Sequence, residues 1–326
     1  MATVLVDHCG MPCPTVPCRS RTPPVHPSLR PMPLDLDDHS RGASVTDYGV
    51  DARGFVYRAI TSAEDATACA ALQSEIWGSA FDAVPGSLMR IVTSIGGLAI
   101  GAFEPSGELV GFVFSLVGMQ GGEPIHWSHM LGVRESARGA GVGRHLKELQ
   151  SEELARRGIR RMLWTFDPLQ ARNAHLNFNR LGVRVIDYVE NMYGITASPL
   201  HHGLPTDRIV VMLPTASAGS RERRPRTPSR NGTNGTNAIP VLTPFPRTGD
   251  LTVDIADTSV PSILIEIPTD LQHVIAKTPD VASTWRFATR ASFLQALRRG
   301  YEVAGLRRDL TTDRAFYTLV ARPSGA

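Results

Sequence analysis

The chain has 326 residues, of which 42% are hydrophobic and 20% charged, and its formal net charge is +3. This composition is typical of globular chains, and the net charge is too small to indicate binding to nucleic acid or to a membrane surface. No apolar run reaches the roughly 18 residues that a membrane span needs. Because Met1–Gly10 also lacks the features of a signal peptide, we expect a cytoplasmic protein.

Four regions follow one another along the chain. Residues 1–53 are rich in Pro, Ser and Arg, which predicts a disordered tail. Residues 54–215 are dense in apolar periodic segments and predict the first folded domain. Residues 216–250 carry an Arg cluster and a low-complexity Asn-Gly-Thr run, which predicts a linker. Residues 251–326 regain folded character and predict a smaller C-terminal α/β extension, which we expect to pack on the first domain because it is short.

The apolar patterns predict a strand and a helix, then antiparallel strands, then alternating helices and strands. The predicted strands are Phe55–Ile60, Leu98–Glu104, Leu109–Gly118, Ile125–Val133, Arg161–Asp167, Val183–Val189 and Arg208–Leu213, followed by Ile263–Ile267, Glu302–Leu306 and Ala315–Val320 in the extension. The predicted helices are Ala63–Trp77, Val142–Arg157, Ala174–Leu181 and Val281–Arg299. This order predicts a mixed α/β fold (α+β) built on a mixed sheet.

A glycine-rich turn, Arg138-Gly-Ala-Gly-Val-Gly143, links the predicted strand ending at Val133 directly to a helix. Glycines allow close approach of the backbone, and the first N–H groups of a helix attract anions. Arg138 and Arg144 add charge-assisted contacts to phosphates. The spacing differs from the G-x-G-x-x-G of dinucleotide-binding folds, and no P-loop Lys-Ser/Thr follows. The turn therefore predicts a phosphate site of another kind.

This turn resembles the acyl-CoA motif of the GNAT N-acetyltransferase superfamily, and Phe178-Asn-Arg-Leu-Gly182 resembles the superfamily's next element. Ser128–Val133, Trp164–Leu169 and Arg172–His175 are similar to a poorly characterised branch that carries a C-terminal extension. The resemblance implies the GNAT fold and an N-acetyltransferase that passes an acetyl group from acetyl-CoA directly to a small-molecule or peptide amine. It implies no metal, and a homodimer is a fair expectation by base rate.

The resemblance also implies where acetyl-CoA binds. The strands at Ile125–Val133 and Arg161–Asp167 are expected to splay apart, so that the pantetheine arm lies in the gap. The expected acetyl-CoA-binding residues are Leu131, Gly132, Val133, Arg138, Gly139, Ala140, Gly141, Val142, Gly143, Arg144, Asn173 and Phe178.

Four residues are candidates for catalysis. His129 lies on the strand that lines the gap, and an imidazole that titrates near neutrality suits a general base. Glu123, in the loop before that strand, is a second candidate, as is nearby His126. Asp167, which ends the neighbouring strand, could bind the substrate ammonium or orient His129. The alternatives are structural: a histidine hydrogen-bonded within the sheet, or an aspartate that caps the turn before Pro168.

One departure from the family pattern concerns the leaving group. In the superfamily a Tyr often donates a proton to the thiolate, but Phe178 stands there, and Ala171 replaces an Asn, with Asn173 close by. Tyr188 and Tyr193 are the remaining hydroxyl candidates. Two alternative functions stay open: a non-catalytic module that binds or senses acyl-CoA, and an O-acyltransferase that acts as a tailoring enzyme.

Overall fold

The computed structural model describes residues 47–78, 83–195, 203–215, 239–247 and 260–322. All of them belong to one compact unit, Val45–Ala326. The predictions for residues 1–46, and most of those for the linker, lie outside the described residues. Among the helices that are described, none is long and apolar enough to cross a membrane.

The larger sheet has eight strands in the order β1-β2-β3-β4-β5-β6-β8-β7. The strands are β1 Asp47–Val50, β2 Val56–Ala59, β3 Leu98–Phe103, β4 Leu109–Gln120, β5 Glu123–Val133, β6 Arg161–Phe166, β7 Arg184–Val189 and β8 Arg208–Pro214. Only β5 and β6 pair in parallel, and every other neighbouring pair is antiparallel. The predicted mixed α/β fold class is confirmed.

Helices cover both faces of this sheet. The helices α1, Ala63–Trp77, and α2, Gly86–Ser94, pack on one face, against side chains that include Phe112 and Phe114. The helix α3, Val142–Arg156, packs on the other face, against Val110 and Val113. Side chains alternate along a strand, so β4 contributes to both cores at once.

A short helix, α4 at Ala171–Ala174, continues as a π-helix over His175–Leu181. The sequence predicts an ordinary helix here, and the wider π turn is a difference from that prediction. Gly182 ends it with a φ of +69°, in the left-handed region that favours glycine. Such π turns are frequent at functional sites.

The C-terminal residues form a four-stranded sheet in the order β11-β12-β10-β9. Its strands are β9 Val241–Leu242, β10 Ser262–Ile267, β11 Tyr301–Asp309 and β12 Arg314–Ala321, and its helices are α5 Leu271–Lys277 and α6 Pro279–Arg298. Phe178 and Leu181 share one hydrophobic core with Phe293 and Tyr317 of this region. The predicted division into domains stays a prediction.

Four elements are absent from the sequence-based prediction. Residues 1–53 are expected to form a disordered tail, and for β1 that prediction is wrong, because residues 47–50 pair with β2 at the sheet edge. The strand β9 and the helices α2 and α5 fall in segments predicted as linker or loop. All four are short, so their apolar spacing is a weak signal.

Candidate functional site

The glycine-rich turn presents its backbone to open space. A 3₁₀ turn at Glu135–Ala137 follows β5, and α3 begins at Val142. Gly139 has a φ of +81° and Gly141 a φ of +91°, a region that other residues rarely adopt. A Cβ atom added at either glycine would meet no heavy atom within 4 Å. The loop therefore forms a cradle with room for a ligand beside its backbone.

The N-terminus of α3 supplies hydrogen-bond donors to this cradle. The first hydrogen bond of the helix runs from the His145 N–H to the Gly141 carbonyl, at 3.0 Å. The N–H groups of Val142, Gly143 and Arg144 precede it and have no acceptor within the helix. Gly141, the N-cap residue, provides no side-chain cap. The helix dipole adds to these donors, so the geometry suits an anion.

Two arginines flank the cradle. The Nε atom of Arg138 donates to the Val133 carbonyl at 3.2 Å, and that of Arg144 donates to Glu148 at 2.9 Å. Both side chains are exposed, and these bonds leave the terminal guanidinium nitrogens for other acceptors. The two arginines can therefore add positive charge at the rim.

Several other residues predicted to bind acetyl-CoA lie in or beside the turn, whereas Phe178 lies in the core shared with the C-terminal region. Leu131, Val133 and Ala140 are partly buried and pack against the core on the α3 face. Gly132 has a packing reason to lack a side chain, since a Cβ there would lie 2.8 Å from the Phe112 ring and 2.9 Å from the Ile76 side chain. Leu131, Val133 and Ala140 thus lie on the α3 face, whereas Gly132 is buried against the α1 side.

The strands β5 and β6 separate after two paired positions. They pair at His126 with Met162 and at Trp127 with Leu163. From Ser128 onward on β5 and Trp164 onward on β6, no pairing joins them, and we call this opening the fork. It matches the expected splaying of the two strands, and it leaves backbone groups of β5 available to a ligand.

His129 lies at a β-bulge at the start of the fork. Phe114 of β4 pairs with Met130, whereas the next residue, Ser115, pairs with Ser128, so His129 is the extra residue. Its ring lies 6.4 Å from the Phe114 ring, on the α1 face of the sheet. The imidazole is solvent-accessible, and partial desolvation by its surroundings lowers its pKa below 6.5. Near neutral pH it is therefore an accessible neutral base.

His126 and Glu123 do not reach the fork. His126 is fully buried, with Nε2 donating to the Gly96 carbonyl at 3.1 Å and Nδ1 3.0 Å from the Ser115 hydroxyl. Burial lowers the pKa of this imidazole to about 4, so it is a neutral structural histidine at ordinary pH. Glu123 is exposed beside Arg161, at 3.6 Å, and lies roughly 20 Å along the strand from His129.

Asp167 is part of a buried ion pair. Arg286 of α6 donates to both of its carboxylate oxygens, at 2.8 and 2.6 Å. Burial opposes ionisation, but the charge and hydrogen bonds of Arg286 outweigh it and hold the pKa of Asp167 below its ordinary value. The carboxylate also caps the following turn through the Leu169 N–H at 2.9 Å and makes no hydrogen bond to His129. These contacts match the structural alternative for this residue.

Neither Phe178 nor the buried tyrosines offer a proton near the fork. Phe178 packs between Phe166 and Tyr317, with ring centroids 6.0 and 5.9 Å away. Burial raises the pKa of Tyr317 well above 10.0 and that of Tyr188 likewise, and Tyr188 also donates to Asp207 at 2.8 Å. Asn173 is exposed on α4.

Tyr193 is a tyrosine that contacts β6 and is open to solvent. It is 48% exposed, and its hydroxyl lies 3.2 Å from the Thr165 hydroxyl on β6. Thr165 alternates with Trp164, so Tyr193 lies on the face opposite α3.

A buried polar cluster beneath the fork is absent from the sequence-based prediction. The Nζ atom of Lys147 on α3 donates to the Ser128 hydroxyl at 2.6 Å, which in turn donates to Gln150 at 2.8 Å. Nζ also lies 4.0 Å from the centre of the Trp164 ring, and the indole N–H donates to Asn177 at 3.1 Å. Lys147 is 3% exposed, and desolvation lowers its pKa to about 7.

A sequence signal for this cluster exists in the helical spacing of α3. Gly143, Lys147, Gln150 and Leu154 recur at intervals of four, three and four, which places them on one helix face. Two polar residues on a face bounded by apolar positions mark a buried polar pair. The signal is visible only once that face is known to be covered by β5 and β6.

The middle of the chain is similar to a known protein family. The model of the acetyltransferase (GNAT) family matches residues 71–182, which include β5, the glycine-rich turn, α3, β6 and the π-helix. A search of curated proteins finds no match. Within the described residues, no group of three or more His, Cys, Asp or Glu side chains could hold a metal ion.

Solved structures that the chain matches include several N-acetyltransferases. The ribosomal-protein-S18-alanine N-acetyltransferase from Escherichia coli is 18% identical, with a TM-score of 0.41 over 51% of this chain and 97% of its own. A chain of the NatC complex bound to Gag peptide and CoA is 13% identical, with a TM-score of 0.40 over 50% and 99%. An aminoglycoside 6'-N-acetyltransferase complexed with coenzyme A is 16% identical, with a TM-score of 0.37 over 47% and 92%.

Proposed function

We propose that this chain transfers an acetyl group from acetyl-CoA to an amine by direct attack, and the match of residues 71–182 to the acetyltransferase (GNAT) family model supports the proposal. The main support for the proposal is that one strand, β5, connects the fork to the anion cradle. The fork opens in the middle of β5 beside His129, and the cradle at Gly139–Arg144 follows the end of the strand.

The cradle fits the pyrophosphate of acetyl-CoA. The open space beside Gly139 and Gly141 accepts a bulky anion, and the first N–H groups of α3 supply donors to it. Arg138 and Arg144 supply charge at the rim. From there the unpaired edge of β5 at Leu131–Val133 would hold the pantetheine arm through backbone hydrogen bonds, as a neighbouring strand would.

His129 would serve as the general base. An amine is protonated near neutral pH and attacks a thioester only after it loses a proton. The His129 ring is accessible at the fork, and the lowered pKa keeps it neutral and ready to accept that proton. Activity should therefore rise with pH through the titration of His129, below pH 6.5. Glu123 and Asp167 have other partners, and we propose no catalytic role for them.

The acceptor would approach from the α1 face, where His129 and Tyr193 lie. Small-molecule and peptide amines are both acceptors under this proposal. The predicted cytoplasmic location and homodimer belong to this proposal as expectations.

The test is a thiol-release assay with acetyl-CoA and four acceptors: an alanyl dipeptide, a lysine-containing peptide, a polyamine and an aromatic primary amine. We expect at least one amine to raise thiol release above hydrolysis. His129→Gln should lower that rate by ~10²–10⁴-fold, since a positioned base typically contributes that factor. His126→Gln, which alters a buried histidine with no access to the fork, is the matched control for loss of an imidazole.

Two results would redirect the proposal. Phe178 lacks a proton to give, which favours a non-catalytic acyl-CoA-binding module as the second candidate. Tight binding of acetyl-CoA without thiol release by any acceptor would support that module. Thiol release with hydroxyl acceptors but not with amines would support an O-acyltransferase.

A further inference from the structure

Lys147 is a buried cation without a carboxylate partner. Its Nζ atom is bound by one hydroxyl and one aromatic face, and the described residues contain no ion pair to it. Burying such a group costs stability, and an apolar side chain of similar length would fill the same space without that cost. A lysine at this position therefore calls for an explanation beyond packing.

Its location is the point where β5 and β6 part. The two strands last pair at Trp127 with Leu163. Ser128 and Trp164, which are the next residues on each strand, are the two groups that hold Nζ. The ammonium group thus lies at the closed end of the fork, on the α3 face. His129, the next residue along β5, lies on the α1 face, so a base and a cation flank the opening from opposite sides.

The hydrogen bonds of the cluster favour lysine as a donor. The Ser128 hydroxyl proton is given to Gln150, so its oxygen accepts from Nζ. The face of the Trp164 ring also favours the ammonium form and acts against the lowering of the pKa by desolvation. These two contacts leave at least one further N–H of an ammonium group for another acceptor.

We propose that Lys147 donates a proton to the sulfur of CoA as the thioester breaks, a role that Phe178 cannot fill. This inference rests on the proposed acetyl transfer. The amine nitrogen forms a bond to the carbonyl carbon, and the C–S bond breaks with its electron pair on sulfur. Lys147 gives sulfur a proton and becomes a neutral amine, while His129 takes the proton of the attacking amine. Exchange with water then restores both groups.

The charged neighbours of Lys147 are few. Arg144, one turn earlier on α3, is exposed and bound to Glu148. Ser128 of β5 and Trp164 of β6 contact Nζ, Asn177 of the π-helix contacts the Trp164 indole, and none of the three titrates. His129, the next residue after Ser128 on β5, also titrates below pH 6.5, so a signal specific to lysine is needed to follow Lys147.

The first arm of the test compares Lys147→Met with Lys277→Met, which removes the other lysine of the chain, exposed at the end of α5. We expect Lys147→Met to bind acetyl-CoA as the wild type does and to lose ~10²-fold or more in turnover. It should also lose the alkaline limb of the pH–rate profile, which reports loss of the acid's proton. Lys277→Met should keep both. Equal turnover in Lys147→Met and wild type would overturn the inference but leave acetyl transfer intact.

The second arm requires no turnover and uses the wild-type protein. Lys147 and Lys277 are the only lysines of the chain, so a sample labelled with ¹³C at lysine Cε shows one signal for each. We expect CoA to raise the titration midpoint of Lys147 by about 1 pH unit relative to desulfo-CoA, which lacks the sulfur. Equal midpoints with the two ligands, both bound, would place Lys147 away from sulfur and contradict the inference. If neither ligand binds, the proposed function fails together with it.

Discussion

Charged side chains are buried both at the fork and beneath α6, where α6 packs on the larger sheet. We call the second place the seam, and only there is each buried charge paired with an opposite charge. At the seam, Arg286 binds Asp167 with two hydrogen bonds, and Arg290 binds Asp207 in the same way, at 2.8 and 2.6 Å. At the fork, Lys147 has a hydroxyl and an indole ring instead of a carboxylate. Charge is therefore buried in two ways. The ion pairs link α6 to Asp167 and Asp207, whereas Lys147 is buried without a carboxylate at a cost in stability, which we propose serves the chemistry.

The largest expected effect on stability comes from breaking an ion pair of the seam. Arg286→Met should lower the free energy of unfolding by about 3–5 kcal/mol, because Asp167 would stay buried without its main partner. Chemical denaturation measures the change. Arg322→Met is the control, since the Arg322–Glu302 pair is exposed and such pairs contribute at most about 1 kcal/mol. Similar losses in the two variants would remove the distinction between paired burial and surface pairing.

Lys147→Met should change the free energy of unfolding in the opposite direction. At pH 6 we expect it to raise the free energy of unfolding by about 1–4 kcal/mol, because an uncompensated buried cation is replaced by an apolar side chain. Burial lowers the pKa of Lys147 from 10.5 to about 7, so the unfolded chain binds more protons between these values. Wild-type stability therefore rises with pH across that window, and the advantage of the variant should shrink.

Denaturation curves at pH 6 and pH 9 check this prediction. Phe293→Leu, a change in the C-terminal core that involves no charge, serves as the control and should show a difference from wild type that stays constant with pH. A Lys147→Met variant that is less stable than wild type at pH 6 would mean that the cation is compensated after all.

The smallest effect concerns the Ser128 hydroxyl. Ser128→Ala removes a hydrogen bond that stabilises the ammonium form, so the titration midpoint of Lys147 should fall by about 1 pH unit. The lysine Cε signal in ¹³C-labelled protein measures it. Thr165→Ala, on the opposite face of β6, should leave the midpoint unchanged. A midpoint that does not move in Ser128→Ala would show that this contact is weak.

Local patterns make most of the fold predictable. The amphipathic spacing of α1 and α3 and the alternation of β3 to β6 are strong, and glycine caps end α3 and the π-helix near the expected residues. Short edge elements such as β1 and α2 carry too few residues for a periodic signal. The parting of β5 and β6 follows from the family resemblance, not from the residues of the strands themselves.

The candidate site is also only partly predictable from the sequence. The turn at Arg138–Gly143 is predictable because its glycines, basic residues and helix start are neighbours in the sequence. Lys147 and Ser128 are far apart along the chain, and their contact depends on which face of α3 meets β5. The partner of Asp167, Arg286, lies more than one hundred residues away, so no local pattern separates a catalytic aspartate from a structural one.

The most direct test of the central claim is calorimetric titration of acetyl-CoA into wild type, Gly141→Asp and Gly158→Asp. Both glycines have positive φ, +91° and +75°, and both have open space beside them, so the two variants carry equal charge and similar backbone strain. Gly141 lies in the cradle, whereas Gly158 follows the other end of α3. We predict micromolar binding to wild type and Gly158→Asp, and its loss in Gly141→Asp. Absence of binding to folded wild type, or equal binding to all three proteins, would contradict the assignment of this turn as the acetyl-CoA site.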